Sequence, residues 1–160
     1  MAVSAYLELE GQKGPSTQKA GAIDCLSFSF GASMVTTYGT GASGQESKSG
    51  RADVSNVSLM KVTDKTTPFL FEACVSAKIY KKATLTYTKT VAKKQEPYFK
   101  IEMADAMITS YQVSGSSENP VESIAFAFQK VKVSYAAEKD DGTLEAFVDK
   151  GFDVSKAVAF

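Results

Sequence analysis

Residues able to do chemistry are few in this 160-residue chain, and their spacing is uninformative. Glu96, Glu102, Asp105 and Glu122 could pair as general acid and base, as carboxylates do in glycoside hydrolysis. Nothing in their spacing brings any two together, and solvated strand faces account for all four. Cys25 and Cys74 are too far apart for a CxxC pair. Both read as small buried hydrophobes, and a disulfide between them stays open if the protein works outside the cytoplasm. The sequence contains no histidine. That removes Ser-His-Asp and Cys-His nucleophile pairs, His-ligated zinc and imidazole acid/base work. Asp140-Asp141-Gly142 lacks the alternating acids of a calcium loop and reads as a hairpin turn. Gly39, Gly41, Gly44 and Gly50 precede no Gly-Lys-Ser/Thr and open no helix, so they are not a phosphate cradle. Asn56-Val57-Ser58 matches a glycosylation sequon but falls in an expected strand. The expectation is a protein that is not an enzyme and uses no cofactor or metal.

Composition narrows the class further. Eighteen basic and eighteen acidic residues cancel, and Arg51 is the only arginine. Nucleic-acid binders carry a positive surplus and guanidinium forks, so no nucleic-acid partner is expected. No apolar run approaches the ~18 residues that span a bilayer. The first residues, Met1 to Glu10, show no charged segment followed by an apolar one, so no cleaved signal is expected either. At 44% hydrophobic residues, the chain has enough apolar side chains for one core, and we read 1–160 as a single domain.

The elements that must hold these residues are mostly strands. Period-two alternation marks Ser4–Leu9, Ile23–Phe30, Val54–Lys61, Lys82–Thr88, Tyr98–Met103, Met107–Val113, Glu122–Phe128 and Val131–Tyr135. The pattern places Leu26, Phe28 and Phe30 on one inner face, and Val131, Val133 and Tyr135 on another. A break is expected at Ala104-Asp105. One helix, over about 65–77, starts at Thr67-Pro68 or one turn earlier at Asp64. Phe69, Leu70 and Cys74 are its expected core anchors. The fold class is therefore mainly β: a two-sheet β-barrel of about eight to ten antiparallel strands with one short α-helix. Residues 39–52 contain four glycines and no bulky apolar side chain, and read as an extended loop.

Several stretches together resemble one family. They are Tyr6-Leu7-Glu8-Leu9 running into the Gly11 to Ser16 turn, and Ile23-Asp24-Cys25-Leu26-Ser27-Phe28-Ser29-Phe30-Gly31. Val57 to Pro68 follows, with its Lys61-x-x-Asp64-Lys65-x-Thr67-Pro68 pattern, and Gly151-Phe152-Asp153 completes the set. This set resembles the haemolysin co-regulated protein (Hcp) family, the inner-tube protein of the bacterial type VI secretion system. Phe28, Phe30 and Phe152 stand where relatives commonly carry tryptophan, which roughly keeps core volume.

The resemblance implies a homohexamer whose rings stack into a hollow tube. Its implied partners are a contractile sheath, a spike-tip protein and effector cargo in the lumen. It also implies a protein made in the cytoplasm and secreted by the machine itself, without membrane insertion. On that reading the long loop reaches a neighbouring subunit or ring through Tyr38, Gln45, Glu46, Lys48, Arg51 and Asp53, with Arg51 foremost. Thr84, Thr86 and Thr88 form a candidate lumen wall. The competing reading is a monomeric β-barrel module that binds a ligand or peptide.

Overall fold

The computed structural model describes residues 4–37 and 48–160. Its elements in chain order are β1 (Ser4–Leu9), β2 (Ile23–Cys25), β3 (Ser27–Ser29), β4 (Ala32–Thr37), β5 (Lys48–Val54) and β6 (Val57–Val62). Then come α1 (Thr67–Val75), β7 (Ile79–Val91), β8 (Lys94–Ser114), β9 (Val121–Ala127), β10 (Lys130–Tyr135), β11 (Val148–Asp153) and β12 (Val158–Ala159). All strand pairs are antiparallel.

Two strand segments turn this meander into a barrel. β8 is one continuous strand rather than two: its first half pairs with β7 and β10, and its second half with β9. Asp105, where a break was expected, bends the strand without ending it, with φ at +50°. The 23–30 strand is cut at Leu26, so β2 pairs with β1 while β3 pairs with β6. The circuit β1–β2/β3–β6–β9–β8–β7–β1 encloses the core. Leu7, Ile23, Leu59, Leu85, Ile101, Met103, Ile124 and Phe126 fill it, all essentially buried. Burying each such side chain contributes about 1.5–3 kcal/mol.

The helix covers this core through Leu70 and Ala73, with Cys74 half-buried beside them. Phe69 is not an anchor: it is 54% exposed. The apolar stripe from Phe69 to Cys74 is wider than the surface the barrel offers, so its edge stays in solvent. Thr66 occupies the N-cap position and Pro68 the first turn. The capping bonds come from one turn earlier. Asp64 Oδ1 accepts the Thr66 backbone N–H at 2.7 Å, and the Asp64 N–H donates to Thr67 Oγ1 at 3.0 Å.

Three burial expectations change. Leu26 lies at the β2/β3 break and is exposed, because the cut moves it out of the alternation of Phe28 and Phe30. Tyr135 shares a face with Phe99, as the alternation implies, yet is half exposed because the barrel ends before it. Thr86 and Thr88 are buried, since Tyr6 and Ser4 of β1 lie directly opposite them; only Thr84 of the expected threonine row reaches solvent. The expected loop over 39–52 is also shorter than its composition suggested. Residues 48–54 form β5, which pairs with β4 in a two-stranded sheet of its own.

Candidate assembly surface

The β4–β5 ribbon is fixed at its root. The Gly31 N–H donates to Ser55 Oγ at 2.9 Å, and the Ser55 N–H returns a bond to the Gly31 carbonyl at 2.8 Å. Phe30 packs on Phe128 there, with ring centroids 6.2 Å apart. Beyond the root the two strands pair only with each other among the described residues. The register slips between Met34 and Thr36, and at that slip Gly50 crosses Val35. A Cβ on Gly50 would stand 2.8 Å from the Val35 carbonyl oxygen, so the close approach requires glycine.

Arg51 and Asp53 sit two residues apart on one face of β5, both exposed. With Phe152 and Val154 they line a cleft of about 300 Å³. Lys48 begins the same strand. Tyr38, Gln45 and Glu46 lie outside the described residues. The structure thus brings Arg51 and Asp53 together against the β11 end of the sheet. Met34 and Val35 of β4 are exposed apolar residues on this ribbon.

Sequence reasoning missed a second feature, which sets the position of α1. Lys61 and Glu122 are both fully buried and directly opposed across β6 and β9. Lys61 Nζ pairs with Glu122, donates to the Val62 carbonyl at 3.1 Å, and reaches Asp64 at 3.4 Å. The Tyr111 hydroxyl donates to the other Glu122 oxygen, and its ring meets Phe71 of α1 edge-on at 5.8 Å. Burial, and then the bond to the Glu122 carboxylate, push the Tyr111 pKa up. Of the four acids expected on solvated faces, Glu122 is the exception, because it serves this ammonium. The signal was in the alternation: Lys61 falls in phase with Val57 and Leu59, and Glu122 with Ile124 and Phe126. The Lys61-x-x-Asp64-x-x-Thr67-Pro68 spacing therefore has a physical reading, with one buried cation bridging the barrel wall to the helix cap.

Both cysteines are free thiols. Burial pushes the Cys25 thiol up to about 12, so it is neither a ready nucleophile nor a ready thiolate ligand. No helix among the described residues is long and apolar enough to cross a membrane.

The model of the family described as "Type VI secretion system effector, Hcp" matches residues 6–135. The chain belongs to the Hcp family. Protein hcp1 of Pseudomonas aeruginosa is 33% identical over 146 residues, which span 89% of this chain and 88% of that protein. Among solved structures, one described as a type six secretion system protein superimposes with a TM-score of 0.88 at 22% identity, covering 99% of this chain and all of the other. Hcp1 from Salmonella typhimurium gives a TM-score of 0.79 at 23% identity over the full length of both chains. These likenesses carry the Hcp fold, and the family match carries the role of a type VI secretion tube component.

Proposed function

We propose that this chain is the repeating subunit of a type VI secretion tube, with all of 1–160 acting as one Hcp unit. Copies close into a hexameric ring, and rings stack into a hollow tube. A contractile sheath drives the tube behind a spike-tip protein, and effectors travel in the lumen. The subunit leaves the cytoplasm through the same machine without a cleaved signal, and it acts without catalysis. The observation carrying this reading is the β4–β5 ribbon. A two-stranded sheet is marginal on its own in water, so a conformation that holds one out from the barrel fits a second surface that completes it. Tyr38, Gln45, Glu46 and Lys48, with Arg51 and Asp53, are the residues we assign to that contact between subunits or rings.

Electron microscopy of a variant lacking Gln45 to Ser49, and of Arg51→Glu, tests the assignment. Expected is a loss of tubes. Tubes forming as readily as in the parent would overturn it.

A further inference from the structure

The β10–β11 sheet extends the inner surface of the barrel past the point where anything covers it. Phe99, Ile101 and Met103 of β8 face the core, and their cross-strand partners on β10 are Tyr135, Val133 and Val131. The row continues onto β11 as Val148, Lys150 and Phe152. Val131 is buried and Phe152 partly so, but Tyr135 is 50% and Val148 67% exposed. Tyr135 meets the edge of Tyr98, 6.2 Å away, and the Lys89 ammonium lies over the Tyr98 ring. The outer edge of β11 is also open at Val148–Lys150. β12 pairs only with Phe152 and Asp153, and Phe160 exchanges two backbone bonds with Gly151. That closure depends on glycine, because a Cβ on Gly151 would stand 2.4 Å from the Phe160 ring.

A second apolar face is left uncovered on α1. Pro68, Phe71, Glu72 and Val75 recur at helical spacing on the side away from Leu70 and Ala73, and all four are exposed. Phe71 is 53% and Val75 68% exposed. The two faces lie toward opposite ends of β8. One lies beside Phe99 and the other beside Tyr111 of the same strand, roughly 40 Å apart along its path at about 3.4 Å per residue. Their charges are opposite. The helix face carries Glu72 and the overhang carries Lys150, and neither has an ion-pair partner among the described residues.

We propose that the α1 face of one copy covers the β10–β11 overhang of the next, with Phe71 and Val75 against Tyr135 and Val148 and with Glu72 meeting Lys150. The proposal rests on the reading of the chain as a ring subunit and names the lateral contact of that ring. Two different patches that bind head to tail, with rotation between copies, generate a closed ring.

The test uses the full chain with Val75→Asp and Val148→Asp, each at an exposed position and each checked for a parental unfolding midpoint. Each variant alone should be a monomer by light scattering. An equimolar mixture should form one-to-one dimers and nothing larger, because one intact pair of faces remains. Glu72→Lys and Lys150→Glu should each raise the concentration at which rings dissociate by about tenfold, and the two together in one chain should restore it. This charge exchange decides the matter even if an aspartate variant fails to fold. Parental rings from Val75→Asp, a mixture that stays monomeric, or a charge exchange without rescue would overturn the contact while leaving the ring reading intact. A monomeric parent would overturn both.

Discussion

Lys61 and Glu122 face each other across β6 and β9 as a fully buried ion pair, and Asp64 and Tyr111 tie that pair to the helix that closes the barrel. Two charges removed from water stabilise a fold little in total, but losing one of them is costly. The pair therefore acts as a registration device. It sets β6 against β9, and through Asp64 it fixes where α1 begins.

Glu122→Leu alone should cost about 3–5 kcal/mol in urea unfolding, because Lys61 stays buried without the carboxylate directly opposite it. The double variant Lys61→Met with Glu122→Leu should recover most of that loss. A double variant no more stable than Glu122→Leu would remove the pair from this account.

Two tyrosine hydroxyls should respond in opposite ways. Tyr111→Phe takes a donor from the Glu122 carboxylate and should cost about 1–3 kcal/mol. The Tyr80 hydroxyl is buried with no hydrogen-bond partner among the described residues, so Tyr80→Phe should be neutral or stabilising. Comparison of the two unfolding midpoints checks both.

Alkaline stability follows from the same side chains. Burial is the first cause raising the pKa of Tyr6, Tyr80, Tyr87 and Tyr111. In the unfolded chain they ionise near about pH 10. Above that pH the unfolded state releases protons that the folded state keeps, so folding stability is full below about pH 10 and falls as pH rises. Tyr111→Phe should make the decline shallower, measured as unfolding free energy between about pH 9 and 12. An unchanged slope would contradict the assignment.

The helix end offers a gain. The Lys78 N–H bonds to the Ala73 carbonyl at 3.0 Å, which closes a Schellman turn, and Ala77 takes the left-handed position with φ at +54°. Glycine suits that conformation better than alanine, so Ala77→Gly should stabilise the protein by about 0.5–1 kcal/mol in thermal or urea unfolding.

Local alternation made most of the barrel legible. Leu7 and Leu9, Val57 and Leu59, Ile101 and Met103, and Ile124 and Phe126 all point inward as their spacing implies. What stayed hidden depends on partners distant in sequence. Phe69 and Leu70 look alike in a helical stripe, and only the extent of the barrel end decides which is covered. Tyr135 keeps its phase but lies beyond the barrel, which periodicity cannot report. Lys61 and Glu122 sit in apolar phase 61 residues apart, and the solvated face expected for Glu122 gives way to burial only because Lys61 lies opposite it. At the assembly surface, the backbone pairing of residues 48–54 was masked by a glycine- and serine-rich composition that usually marks a loop.

Light scattering of the purified chain across a range of concentrations tests the central claim most directly. The account predicts a particle near six times the 17.1 kDa chain mass, with tubes appearing as concentration rises. A single species at 17.1 kDa at every concentration would contradict it.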